Sequence, residues 1–315
     1  MKNLISVSGP TASGKSSLSL GLCERFSCEL VSFDSMQIYR KMDIGTAKPT
    51  KEEMQRVRHH LVDICDANEK FSAAEFVAKA KEAVGDIHSR GKTAVLCGGT
   101  GLYLDSFLSG RDFGELSGDE ALRRELFEYA ERNGNSALHK TLFELDPIAA
   151  EAIHENNVKR VVRAIEICKT SGMTKTEWDK KAESANPPLD CLSFILDFKN
   201  RDVLYERIDK RVDQMVESGL IEETEMLLKS GALDKDNTAA QAIGYKEIVP
   251  YLLGEASLDD AVLQLKTSTR HYAKRQLTWL RSKPGIRLFV DDYSSSEHLL
   301  EKASSIVQSG GDSIE

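Results

Sequence analysis

Eight residues near the N-terminus, Gly9-Pro10-Thr11-Ala12-Ser13-Gly14-Lys15-Ser16, constrain the fold more than any other stretch of the chain. The apolar run Leu4-Ile5-Ser6-Val7 precedes them, and an apolar-patterned segment through Leu18, Leu20 and Leu22 follows. Strand, glycine-rich loop and helix in this order make a phosphate cradle, because the loop turns its backbone N–H groups inward and the helix N-terminus adds positive potential. In such a cradle Gly9 to Gly14 shape the anion site, Lys15 supplies a cation to the terminal phosphate, and Ser16 supplies a hydroxyl for Mg²⁺. The plainer alternative is a glycine turn that happens to carry a lysine.

A phosphate loop does not by itself specify a reaction. The strand pattern Thr93–Cys97 runs into Gly98-Gly99-Thr100-Gly101 with no carboxylate at its end, which counts against a small-molecule kinase using the loop for ATP. The strand-end acid lies elsewhere: Leu30-Val31-Ser32-Phe33 reads as a strand and Asp34-Ser35-Met36-Gln37 follows it. Carboxyl ends of parallel strands gather around the ligand crevice, so Asp34 and Thr100 can both face what the loop holds. Equally, Asp34 can cap a turn, and the glycine run can be a plain strand-to-helix connection.

Strand patterns at Leu4–Ser8, Glu29–Phe33, His60–Ile64 and Thr93–Cys97 alternate with helical ones such as Ser16–Phe26 and Ser72–Arg90. This order predicts an α/β fold, a parallel sheet flanked by helices. From 118 to 186 only helical patterns occur, with Asp146-Pro147 opening one helix, Asn157 capping the next and Gly172 ending it. We read 118–186 as an all-helical domain inserted into a discontinuous core, 1–117 and 187–300, with 301–315 as a flexible tail. A strand at Leu192–Phe198 marks the return to the sheet, and the rest is mostly helical, with Pro284 closing a long helix.

The chain has 315 residues, a net charge of −8 and 41% hydrophobic residues, enough for one large core or two unequal domains. No apolar run is long enough to span a bilayer, and no secretory signal is seen, so a soluble monomer in the cytoplasm is expected. Six scattered cysteines form no metal-ligand spacing and read as buried thiols. An acidic total argues mildly against a polyanionic partner, but binding depends on where charges lie. After Asn157, Val158, Val161, Val162, Ile165 and Cys168 share one helical side while Lys159, Arg160 and Arg163 share the other. Between Leu258 and Arg281, Lys266, Arg270, Lys274 and Arg281 form a second basic face. Each is either a solvated surface or a surface for RNA phosphates.

The blocks GPTASGKS, DSMQIYRKMDIGTAKP, GGTGLY, KRVVRAIE, QAIGYKE and RHYAKRQLTWLR, in this order from Leu4 to Arg281, resemble the tRNA dimethylallyltransferase (tRNA isopentenyltransferase) family. The resemblance implies a P-loop NTPase-like sheet and transfer of a dimethylallyl group from dimethylallyl diphosphate to N6 of the adenine 3′-adjacent to the anticodon. It implies Asp34 as general base with Thr100 orienting it, and Thr11 and Ser13 at the allylic diphosphate or serving only loop geometry. Ser35 and Gln37 would meet the adenine edges or ribose, or only local backbone. Asp34 to Gln37 with Met36, Thr100, Arg123, Lys159, Arg160, Val161, Val162 and Arg163 would form the tRNA contacts. Arg211 would be an extra cation at the diphosphate, or one charge of a salt-linked helix. A channel through the sheet domain, closed over by the inserted helices, is expected. The rivals are a relative prenylating free adenine nucleotides, an ATP-dependent small-molecule kinase, and a non-catalytic RNA-binding module.

Overall fold

Leu4 to Ser8 are buried along their whole length, which suits an interior strand covered on both faces. The structure, a computed structural model, describes residues 2–111, 118–184, 186–234 and 237–310. Its sheet has six strands, all parallel, in the order β3-β2-β4-β1-β5-β6: β1 Leu4–Ser8, β2 Glu29–Ser32, β3 His59–His60, β4 Ala94–Gly98, β5 Leu192–Asp197 and β6 Ile286–Phe289. Helices α1 (Lys15–Phe26), α2 (Lys51–Arg56), α3 (Ala73–Ser89) and α4 (Gly101–Leu108) connect the first strands. Among the described residues no helix is long and apolar enough to cross a membrane.

Two compact units emerge. The first comprises residues 1–107 and 190–315, the second Leu108–Leu189, rather than the 118–186 expected. The second contains α5 (Glu120–Asn133), α6 (Asn135–Leu145), α7 (Pro147–Ala152), α8 (Val158–Ser171) and α9 (Lys175–Ser184) around Leu126, Leu138, Leu142, Val161 and Ile165. Asp146 caps α7 by accepting from the Ala149 N–H at 3.0 Å, and Gly172 ends α8 in the left-handed region. Asn157 occupies the cap position of α8 without a side-chain cap bond.

The first unit resumes with β5, then α10 (Arg201–Glu217), α11 (Leu220–Lys229), α12 (Val249–Leu252), α13 (Leu258–Leu280) and α14 (Ser296–Gln308). Two expectations need correction, and one strand is new. β3 is shorter than His60–Ile64, because Leu61 and Asp63 take positive φ and turn the chain away. The short edge strand β6 escapes prediction because its four residues are too few to show a period. Residues 301–308 are not a flexible tail: α14 is capped by Ser295 and buries Leu299, Ala303, Ile306 and Val307 in a core that includes residues of α1. Residues 311–315 of that expected tail lie outside the described residues, as do 112–117 beside the expected domain boundary.

At the amino end of the sheet, Glu29 is 3% exposed and ringed by cations. His60 Nε2 lies 2.8 Å from its carboxylate, Arg90 donates at 2.6 Å and Lys92 at 3.0 Å. Burial alone would raise this carboxyl, but the bonds from His60, Lys92 and Arg90 outweigh it and hold it down at about 2, against an ordinary 4.5. A depressed carboxylate stabilises the fold above its unfolded value, and that stability is lost as pH falls from 4.5 towards 2. Glu29→Gln is therefore expected to cost on the order of 2 kcal/mol near neutral pH in urea unfolding. The difference from the parent should vanish as the pH approaches 2. A gap that persists undiminished in acid would assign the loss to packing instead.

Candidate active site

The cradle takes its shape from local backbone geometry. Gly14 adopts φ +87° and Ala12 φ +61°, and the Ser13 N–H donates to the Pro10 carbonyl at 3.2 Å, so the loop coils back before α1 begins. Lys15 Nζ donates to the Pro10 carbonyl at 3.3 Å. Arg207 of α10 donates to the Ala12 carbonyl at 2.9 Å and so braces the loop from outside. Thr11, Lys15 and Ser16 line a cavity of about 260 Å³. Ser13 separates from Thr11: it is 1% exposed, and its hydroxyl has no hydrogen-bond partner among the described residues.

Opposite strand ends supply the other half of the cavity. Asp34, Ser35, Met36 and Gln37 line it, as does Arg211. Both readings of Asp34 are realised together: Oδ1 accepts from the Met36 N–H at 2.9 Å and from the Gln37 N–H at 3.4 Å, which leaves Oδ2 outside the turn. Beneath it Phe33 is fully buried, edge-on to Phe76 at 5.0 Å and to Phe107 at 5.3 Å. A bulky residue here anchors the strand end that carries the carboxylate. Gly98 complements it, since a Cβ there would stand 2.1 Å from the Phe33 carbonyl oxygen.

Thr100 meets Ser35, the residue next to Asp34. Its Oγ1 accepts from the Ser35 N–H at 3.1 Å and lies 3.4 Å from the Ser35 hydroxyl, so it positions the residue after the carboxylate. Gln37 faces the cavity, but its amide serves the loop that follows: Oε1 accepts from Ser32 at 2.8 Å, and Nε2 donates to the Thr46 and Ala47 carbonyls at 3.3 and 3.2 Å.

Electrostatically the cavity holds more positive than negative charge. Burial pushes the Lys15 ammonium below its ordinary value, neighbouring Arg211 adds to the fall, and Asp34 opposes it. Burial likewise lowers the Arg211 guanidinium, with Asp34 again opposing. Two desolvated cations facing one carboxylate suit a multiply charged anion.

Gln276 was missed by sequence reasoning. It is 5% exposed on α13, accepts from the Thr11 N–H at 2.8 Å and donates to the Gly99 carbonyl at 3.1 Å, so one amide ties the cradle to the glycine turn. Gly99 must lack a Cβ, which would stand 2.1 Å from Gln276 Nε2. The available signal was a polar residue on an otherwise apolar stripe with Ala273, Leu277 and Leu280. Tyr272 and Arg275 of the same helix also line the cavity.

The second basic face is smaller than expected. Lys266 pairs with Asp213 at 2.6 Å, and Arg270 pairs with Asp209, so two of its four cations join α13 to α10. In the helical unit, Lys159 and Arg160 are exposed. Val161 and Val162 are buried at 0% and 2%. Side chains inside that packed core cannot themselves reach a partner. Arg123 and Arg163 converge on Glu166, which is fully buried, at 2.9 and 2.6 Å. Burial raises the Glu166 carboxyl, but bonds from Arg163 and Arg123 and from the Asp119 N–H bring it below its ordinary value. One charge of that arginine pair is thus already balanced.

A parallel α/β sheet whose strand ends, with α10, bring a glycine-rich cradle, two half-buried cations and a carboxylate to one cavity defines a P-loop-type protein for phosphorylated ligands. The sequence model of the IPP transferase family matches residues 37–283, and the chain belongs to that family. Among curated proteins it is 46% identical over 300 residues to a tRNA dimethylallyltransferase of Caldanaerobacter subterraneus subsp. tengcongensis, covering 95% of each chain. It is equally 46% identical over 301 residues to the tRNA dimethylallyltransferase of Halalkalibacterium halodurans, again over 95% of each. Among solved structures it is similar to the full-length tRNA isopentenylpyrophosphate transferase of Bacillus halodurans, at 42% identity and a TM-score of 0.70, covering 97% of this chain and 95% of that one. A eukaryotic dimethylallyltransferase acting on tRNA matches at 28% identity and a TM-score of 0.83, over 99% of this chain and 81% of that one.

Proposed function

We propose that this enzyme transfers the dimethylallyl group of dimethylallyl diphosphate to N6 of the adenine 3′-adjacent to the anticodon in tRNA, releasing diphosphate. One observation carries the reading at the level of chemistry: Lys15, Ser16, Arg211 and Asp34 face a single cavity. The exocyclic amine of adenine is a weak nucleophile, because its lone pair is delocalised into the ring. The transfer therefore needs a stabilised leaving group and a base. Lys15 and Arg211 take up the charge that grows on the diphosphate as the allylic C–O bond breaks. Asp34 Oδ2 accepts the N6 proton as the C–N bond forms. The adenine leaves its stack to reach this carboxylate, as enzymes acting on stacked bases require.

The donor set suits Mg²⁺. Ser16 offers a hard oxygen at the cradle, and Mg²⁺ binds through one or two such groups together with phosphate oxygens and water. Ser16 would hold the ion, which when bound offsets negative charge on the diphosphate.

Mass spectrometry of tRNA incubated with enzyme, Mg²⁺ and dimethylallyl diphosphate tests the reading. One added five-carbon unit on the adenine beside the anticodon is expected. Prenylation of AMP in preference to tRNA, or turnover of ATP in place of the allylic donor, would overturn it.

The exposed cations of α8 supply the RNA side. Changing Lys159 and Arg160 together to alanine is expected to weaken tRNA binding and to flatten the slope of log K against log salt by about 1 to 2. Arg163→Ala should change that slope less, since Glu166 already balances part of its charge. Filter binding across a salt series measures both, and an unchanged slope in the double variant would make that face plain solvated surface.

A further inference from the structure

The backbone N–H groups of three successive residues, Asp43, Ile44 and Gly45, converge on the carboxylate of Glu223 at 3.0, 2.9 and 3.0 Å. Consecutive inward N–H groups are the nest with which loops hold anions. Here a side chain from the first turn of α11 fills it. The Tyr245 hydroxyl donates to the same carboxylate at 2.7 Å. The Tyr245 ring lies so close that a Cβ on Gly45 would stand 2.5 Å from it. On its other flank the loop gives the Thr46 and Ala47 carbonyls to Gln37.

Gly45, Thr46 and Ala47 line the active cavity, along with the apolar Met215, Ala242 and Ile243. Hydrogen bonds to a charged acceptor are roughly twice as strong as neutral ones, so four of them on one carboxylate dominate where this wall stands. The cavity, at about 260 Å³, falls below the roughly 300–1,000 Å³ common for small-molecule sites, so a small shift of the wall changes what fits.

We propose that Glu223 is a positioning residue which, with Tyr245, fixes the loop 43–47 so that the cavity accepts a five-carbon allylic chain and rejects longer ones. This rests on the donor assigned above. Kinetics of the full-length enzyme with dimethylallyl and geranyl diphosphate, for the parent, Glu223→Gln and Tyr245→Phe, test it alongside tRNA affinity. Glu223→Gln is expected to raise KM for dimethylallyl diphosphate about tenfold with a smaller change in kcat. It should also raise the geranyl-to-dimethylallyl ratio of kcat/KM at least about tenfold, with tRNA affinity unmoved. Tyr245→Phe, the gentler change, should shift both in the same direction by about two- to threefold.

A merely structural role would lower kcat for both donors in proportion to the folded fraction and leave KM and the ratio alone. That outcome overturns the proposal, and so does parental behaviour of both variants. Failure of the parent itself to use dimethylallyl diphosphate would remove the donor assignment, a result distinct from an unmoved ratio in the variants.

Discussion

Asp34→Asn should lower single-turnover prenyl transfer by about three orders of magnitude while leaving tRNA affinity within about twofold, the range expected when a positioned general base is removed. Asparagine is the informative replacement. Its amide oxygen can still accept from the Met36 and Gln37 N–H groups, so the turn that Oδ1 now holds survives. The basicity of the second oxygen does not. Asp34→Ala removes both, and should lose affinity as well as rate. If the asparagine variant retains parental single-turnover rates, the carboxylate serves the turn alone, and the proton leaves N6 by another path.

Lys15→Met should show a trade between stability and function. Lys15 is half-buried, its ammonium donates to one carbonyl at 3.3 Å, and desolvation and Arg211 push it below its ordinary value. A methionine of similar length relieves that burial, so the ligand-free variant should melt at the parental temperature or above it. The rise in Tm that dimethylallyl diphosphate gives the parent should largely disappear, because the cation that favours the anion is gone. Transfer should fall by about 10²- to 10³-fold, as when one donor to a developing charge is deleted. In the parent, the bound diphosphate favours the charged form of Lys15, so donor affinity should fall as pH rises past the depressed Lys15 value. The variant should lack that dependence. A ligand-free variant that melts well below the parent, with its donor-induced shift intact, would make Lys15 a structural residue.

Much of the catalytic core was legible because its signals are local. The cradle is a contiguous octapeptide whose backbone needs, a glycine at φ +87° and a helix start at Lys15, are written within it. The strands β1, β2, β4 and β5 are buried runs long enough to show in the pattern, whereas β6 is too short and β3 was read too long. Polar residues on apolar stripes were harder. Gln276 and Glu166 each sit among aliphatic neighbours, and spacing alone does not say whether such a residue is a tolerated exception or the centre of a network. The same limit applied to the basic faces. Lys266 and Arg270 are identical in sequence terms to Lys274, yet they face Asp213 and Asp209 across two packed helices.

What the linear chain determined by itself is the chemistry available: an anion cradle, a strand-end carboxylate and a turn of glycines, each set by short-range backbone sterics. What only the folded structure decided is how those pieces are held together. The amide of Gln276 reaches Thr11 across 265 positions, and Glu223 fills a nest of N–H groups 178 to 180 positions away. Such bonds depend on where packing brings two distant helices, and packing is the summed result of many side chains, none of which carries the address of its partner.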